Sequence, residues 1–178
     1  MTGGSRPQAR VGAANARSWL LVGASANATL TFDDACDSHA DQIIIDLEDA
    51  VDPSFKDAAR EAVVAWLGRG AHAWVRVNAA TTRFWSDDME ALRGAAGLAG
   101  VMLAKTESPD EVDDTFDRLG GATPVIPLVE SAAGIEDATK IAQARGSFRL
   151  AFGSGDYRRD TGTGNDNLAM AYPRSRLV

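Results

Sequence analysis

The stretch 43-IIIDLEDAVD-52 places three β-branched isoleucines directly before four carboxylates, all within ten residues. An unbroken apolar run of this kind predicts a strand buried on both faces, as in a parallel sheet. The acids would then emerge where that strand ends. Similar runs recur along the chain: SWLLVG from Ser18, QIIIDLE from Gln42, AWVRVN from Ala73, VMLAK from Val101, PVIPLVE from Pro124 and RLAFGSGD from Arg149. Six strands are therefore predicted. Amphipathic segments between them predict helices at about 28–40, 54–67, 85–96, 109–119 and 135–144. Strands alternating with helices at these intervals argue for a parallel sheet with helical crossovers.

Local signals support the helix positions. Ser108, followed by Pro109 and then by Glu111 three residues on, forms a capping box with proline in the first turn. Ser54, after Pro53, is the expected cap of the helix that carries Ala58, Val63 and Leu67, and Asp52 falls in the turn leading into it.

A doubly wound sheet and a closed barrel both fit the alternation, and the placement of polar groups decides between them. Nearly every strand delivers such groups at its C-terminal end: Asp46, Glu48 and Asp49; Arg76 and Asn78; Lys105 and Glu107; Glu130; Asp156. A ring of functional groups on one rim is the arrangement of a TIM (β/α)8-type barrel. A doubly wound sheet would instead concentrate them at one switch point, usually with a glycine-rich phosphate turn after the first strand. Here that turn reads VGASANA, which lacks the G-x-G-x-x-G pattern. Strands recur roughly every 26 residues, so eight units need about 210 residues and typical barrels run to about 250. Only 22 residues follow Asp156. About six βα units are expected, leaving an open remnant, a barrel completed by another chain, or a product shortened after its sixth strand. The exposed first and sixth strands of an open sheet would favour oligomerisation.

Composition bounds the function. The 178 residues carry 45% hydrophobic content and a net charge of -7. That is enough chain for one core, and the charge offers no footprint for nucleic acid or an anionic membrane. No apolar run approaches the roughly 18 residues of a membrane span. Cys36 is the single cysteine, which suits a reducing compartment, so a cytoplasmic location is expected. Residues 1–16 read as a flexible tail and 17–178 as the barrel domain.

Several of these segments, taken in order, resemble the HpcH/HpaI aldolase and citrate lyase β-subunit (CitE-like) family: RSWLLVG, QIIIDLEDAV, VRVN, GVMLAKTES, PVIPLVESAAGI and RLAFGSGDYRRDTG. The resemblance covers about Arg17 to Val178. It implies a TIM barrel, usually a homo-oligomer, that binds Mg²⁺ (or Mn²⁺). It also implies cleavage or formation of the carbon–carbon bond between an oxo-acid and an acetyl or propionyl unit, often carried as a coenzyme A thioester. A malyl, citramalyl or citryl thioester, or a free oxo-acid, would be the small-molecule partner.

By the same resemblance, the metal carboxylates are Glu130 and Asp156. Hard oxygen donors suit Mg²⁺, which commonly takes one or two carboxylates and leaves positions for a chelating 2-oxo acid. The metal would act as a Lewis acid on the enolate formed in the reaction. Glu130 would thus serve metal and substrate together, although capping the next helix is its plainer alternative, and ordering its loop is that of Asp156. Arg76 matches the family's substrate arginine, whose planar fork grips a carboxylate and stabilises developing charge. The plainer role for Arg76 is an ion pair with Glu48 or Asp49. Those two acids are expected to orient Arg76, Lys105 or a metal-bound water. A lysine at a strand end is also a candidate Schiff-base nucleophile. The resemblance favours the metal mechanism and makes Lys105 a charge partner of Glu130 or its neighbours.

Other residues read as structural. His39 and His72 lie away from the rim, and Trp19, Trp66, Trp74 and Trp85 read as packing residues. The polar, glycine-rich run DYRRDTGTGNDN is expected to be a loop, either mobile over the site or simply solvated. Two features depart from the family. The first turn, GASANATLTFDD, lacks the usual arginine, and the chain stops at YPRSRLV, before the segment that in relatives completes the barrel. Two function classes follow: an Mg²⁺-dependent carbon–carbon lyase, or a partial family member that binds metal and acid without turnover as a subunit of an oligomer.

Overall fold

The structure, a computed structural model, describes residues 11–24 and 28–178. Within them six parallel strands form one sheet in chain order: β1 (Trp19–Gly23), β2 (Gln42–Asp46), β3 (Ala73–Val77), β4 (Leu98–Leu103), β5 (Val125–Val129) and β6 (Ala151–Phe152). The crossovers carry α1 (Ala28–Cys36), α2 (Lys56–Gly68), α3 (Arg83–Leu92), α4 (Pro109–Arg118) and α5 (Ala132–Ala142), and α6 (Ser154–Thr161) and α7 (Ala171–Arg176) follow β6. Strictly sequential order is that of a (β/α)8 barrel and excludes a doubly wound sheet, in which the order reverses. The chain forms an incomplete TIM-type barrel, a curled half with its helices outside.

Side-chain alternation divides the core in two. Ile43, Ile45, Val75, Val101, Leu103 and Val125 face the helices and pack with Val63, Leu67, Leu92, Ile135 and Ile141. Each such aliphatic contributes about 1.5–3 kcal/mol when fully buried. The opposite register positions, Ile44, Trp74 and Ile126, form a second cluster with Trp19, Met102 and Ala151 on the inner face. Trp74 fits there because Gly100 lies beneath its ring. A Cβ at Gly100 would come within 2.2 Å of the indole.

The N-terminal end of the sheet is drawn together. Arg149, just before β6, donates to Ala14 O at 3.0 Å and Ala16 O at 3.3 Å. Its guanidinium also lies over the rings of Trp19 and Phe148. Gln42 Nε2 donates to Val11 O at 2.6 Å, and Ala13–Asn15 form a 3-10 turn. Residues 11–16 of the expected tail are therefore tied across the entrances of β1 and β6, while residues 1–10 lie outside the described residues.

The capping box forms as expected. Ser108 Oγ accepts from Glu111 N at 3.4 Å, and Glu111 Oε2 accepts from Ser108 N at 3.2 Å. Ser54, by contrast, is not the cap: Asp52 Oδ1 accepts from Ser54 N and opens a 3-10 turn, Pro53–Phe55, ahead of α2. Helix α1 ends at Cys36 rather than near residue 40, where Ser38 N turns back to Ala35 O. Helix α3 runs from Arg83 to Leu92, earlier than expected, and stops before Gly94, whose φ of +74° leaves the helix. Helix α5 starts at Ala132 because Ser131 Oγ accepts from Gly134 N. Cap duty thus falls to Ser131 and not to Glu130.

The largest correction concerns DYRRDTGTGNDN, which does not begin as a loop. Its first half lies in α6, which ends where Gly162 adopts φ +68° and donates its N–H to Arg158 O. The helix escaped the hydrophobic pattern because it buries little: Tyr157, packed against Phe152, is its one buried residue. Among the described residues, no helix is long and apolar enough to cross a membrane.

Candidate active site at the strand ends

The four acids of the opening stretch play different parts. Asp46 is fully buried at the end of β2. Its Oδ1 accepts from Glu48 N at 2.8 Å and Arg76 Nε at 2.7 Å. Its Oδ2 accepts from Ala50 N at 3.1 Å and Arg76 Nη2 at 2.6 Å. Asp46 thus shapes the exit loop and grips Arg76 in two-point fashion. The expected ion-pair partner of Arg76 was Glu48 or Asp49. The primary partner is Asp46, with Glu48 Oε2 second at 3.4 Å from Arg76 Nη1. The strand register was the signal available, since Asp46 pairs directly with Arg76 across the β2–β3 ladder.

Glu48 bridges the rim. Its Oε2 caps Asp49 N at 3.0 Å, and its Oε1 accepts from Lys105 Nζ at 2.5 Å. Asp49 stands farther off, 3.4 Å from the same ammonium. Burial alone would lower the Lys105 pKa, but the bond and charge of Glu48, with Asp49 behind it, raise it above the ordinary value. Lys105 holds a left-handed backbone with φ +51°, which is costly for a residue with a side chain. In this conformation Lys105 contacts three acids, its N–H donating to Glu130 Oε1 at 2.9 Å while its ammonium reaches Glu48 and, at longer range, Asp49. Its ammonium therefore pairs with Glu48 and Asp49, and Glu130 is met only by the backbone.

Glu130, at the end of β5, is 5% exposed and its pKa is pushed up to about 7. Burial is the main cause, and the charges of Asp156 and Glu48 add to it. Gly153 makes the close fit possible: a Cβ there would stand 2.1 Å from Glu130 Oε2. Glycine at this point is a site residue that the sequence reading missed. Asp156 lies in the first turn of α6 rather than on a strand end, and it pairs with Arg159 one turn on. His39 and His72 are exposed, and His72 precedes β3, on the side away from this rim.

Magnesium fits this donor set. Among the described residues no three His, Cys, Asp or Glu side chains gather as a metal cage. A cation here would rest on Glu130 and Asp156, with water or substrate oxygens completing its shell, a common arrangement for Mg²⁺. The raised Glu130 pKa points the same way, because a divalent cation would relieve the repulsion among Glu130, Asp156 and Glu48. Residues 25–27 of the divergent first turn lie outside the described residues.

The sequence profile of the HpcH/HpaI aldolase/citrate lyase family matches residues 19–178. The chain belongs to that family. It is 31% identical over 156 residues to the citrate lyase subunit beta of Leuconostoc mesenteroides subsp. cremoris, covering 78% of this chain and 51% of that protein. It is 30% identical over 147 residues to the L-malyl-CoA/beta-methylmalyl-CoA lyase of Cereibacter sphaeroides, covering 74% and 46%. Among solved structures, the citrate lyase beta subunit of M. tuberculosis complexed with oxaloacetate and magnesium superposes with a TM-score of 0.77 at 31% identity, covering 92% of this chain and 73% of that one. This chain spans about half the length of the curated relatives it matches.

Proposed function

We propose that the rim of this HpcH/HpaI family member is the site of a Mg²⁺-dependent carbon–carbon lyase. Its substrate class would be a malyl, citramalyl or citryl thioester, or a related hydroxy or oxo acid. The observation that carries this reading is the buried Glu130, raised to about 7, beside Asp156 and within one rim of Arg76 and Lys105. Magnesium held by Glu130 and Asp156 would polarise a bound 2-oxo acid as a Lewis acid. Arg76 supplies a fixed positive charge beside the reacting carboxylate or carbonyl, locked in orientation by Asp46 and Glu48. Lys105, with a side chain 46% exposed, can leave Glu48 for a substrate carboxylate. Glu48 and Asp49 orient these cations. The oxaloacetate-bound relative and the malyl-CoA lyase relative support the substrate class.

The direct test is cleavage of malyl, citramalyl and citryl thioesters with and without Mg²⁺, on this chain and on a version extended by its downstream reading frame. Mg²⁺-dependent product formation supports the lyase reading, and its absence in both forms overturns it. A second reading, a metal- and acid-binding subunit without turnover, is favoured by the absence of any basic residue in GASANATLTFDD. It predicts oxo-acid binding without thioester cleavage. Assembly as a homo-oligomer is proposed from the edge strand β1, where Leu20 and Leu21 are 37% and 46% exposed.

A further inference from the structure

A second buried polar cluster lies behind the rim. Lys56 opens α2 and is 5% exposed. A cation in the first turn opposes the helix dipole, so nothing local to α2 favours it there. Its ammonium makes three hydrogen bonds: to Leu47 O at 2.6 Å, Glu48 O at 2.7 Å and Asn78 Oδ1 at 2.8 Å. Those bonds use all three of its donors. Asn78 continues the chain outward, donating from its side chain and its backbone to Asp88 Oδ2 at 2.7 and 3.0 Å. Arg60 Nε closes it on Asp88 Oδ1 at 3.0 Å.

The two carbonyls that Lys56 holds belong to the peptide units on either side of the Glu48 Cα. We infer that Lys56 is a positioning residue: by pinning both peptide units it fixes the Glu48 carboxylate between Arg76 and Lys105. Asn78, Asp88 and Arg60 anchor the clamp to α2 and α3. An unpaired buried ammonium costs several kcal/mol, so the bonds are needed to keep it there at all. The consequence for ligand binding rests on the reading of the rim as a Mg²⁺ and oxo-acid site.

The test uses Lys56→Met, with Lys56→Gln as a smaller perturbation that retains a donor should the first variant fail to fold. Amide hydrogen exchange at Leu47–Asp49 should rise about tenfold or more, while β5 and α5 stay protected. Oxaloacetate affinity, measured by calorimetry in Mg²⁺, should fall about tenfold with Mg²⁺ affinity changed less than about twofold. In a Glu48→Gln background, Lys56→Met should cost no further oxaloacetate affinity, because a residue acting through Glu48 has nothing left to position. Unchanged exchange at Leu47–Asp49, or a full additive loss in the Glu48→Gln background, would overturn the clamp. Failure of the unsubstituted chain to bind both Mg²⁺ and oxaloacetate would instead remove the functional reading, and hydrogen exchange would still decide the clamp.

Discussion

Asp46 and Arg76 are register partners across the β2–β3 ladder and join through parallel hydrogen bonds of 2.7 and 2.6 Å. The same carboxylate caps Glu48 N and Ala50 N, so one buried group sets both the guanidinium and the loop that carries the next two acids. Removing it leaves the half-buried Arg76 only its longer contact with Glu48. Asp46→Ala is expected to lower stability by about 3 kcal/mol, read from urea unfolding. Arg76→Lys keeps the charge but loses the fork, so it should weaken oxo-acid binding more than it weakens the fold.

Gly153 and Glu130 give a second prediction. With a Cβ at 2.1 Å from Glu130 Oε2, Gly153→Ala must displace the carboxylate. We expect Mg²⁺ affinity to fall about tenfold or more by calorimetry, since one metal contact depends on that placement. Circular dichroism should show the fold retained. Unaltered affinity would remove Glu130 from the metal site.

Glu130 also predicts a pH dependence. Its folded pKa of about 7 lies above the ordinary 4.5, so the folded metal-free chain holds a proton that the unfolded chain has already released. The contribution from this group is fully present below about pH 4.5 and is lost as pH rises through about 7, a change of about 3 kcal/mol. Glu130→Gln should flatten that part of the stability profile. Mg²⁺ competes with the same proton, so its apparent affinity should rise with pH and level off above about 7.

Glu130→Ala and Asp156→Ala are each expected to weaken Mg²⁺ strongly while leaving the fold intact, and EDTA should abolish any lyase turnover. Borohydride trapping with an oxo-acid should give no adduct at Lys105, whose ammonium is engaged by Glu48. A trapped adduct would replace the metal mechanism with a Schiff-base one.

Ser108→Ala removes half of the capping box of α4. It should cost about 1 kcal/mol in thermal or urea unfolding. Mg²⁺ affinity should not change.

Much of this protein was legible along the chain because the determining forces are local or periodic. Six apolar runs with acids and cations at their C-terminal ends predicted the parallel strands and the polar rim. The capping box at Ser108 needed only four residues to declare itself. Helix α6 was obscured for the complementary reason, since it buries too little apolar surface to leave a pattern.

What the tertiary structure alone decided are the pairings. Four acids in 43-IIIDLEDAVD-52 look alike in sequence. Yet Asp46 grips an arginine 30 residues on, Glu48 holds a lysine 57 residues on, Asp49 stands behind it, and Asp52 caps the next turn. Which acid takes which cation depends on strand register, and register follows from the packing of both sheet faces at once. Glu130 needed the bare backbone of Gly153 just past the neighbouring strand, and Lys56 needed two carbonyls turned inward from the β2 loop. Composition and periodicity carry no record of such contacts, because they exist only once distant segments have been brought together.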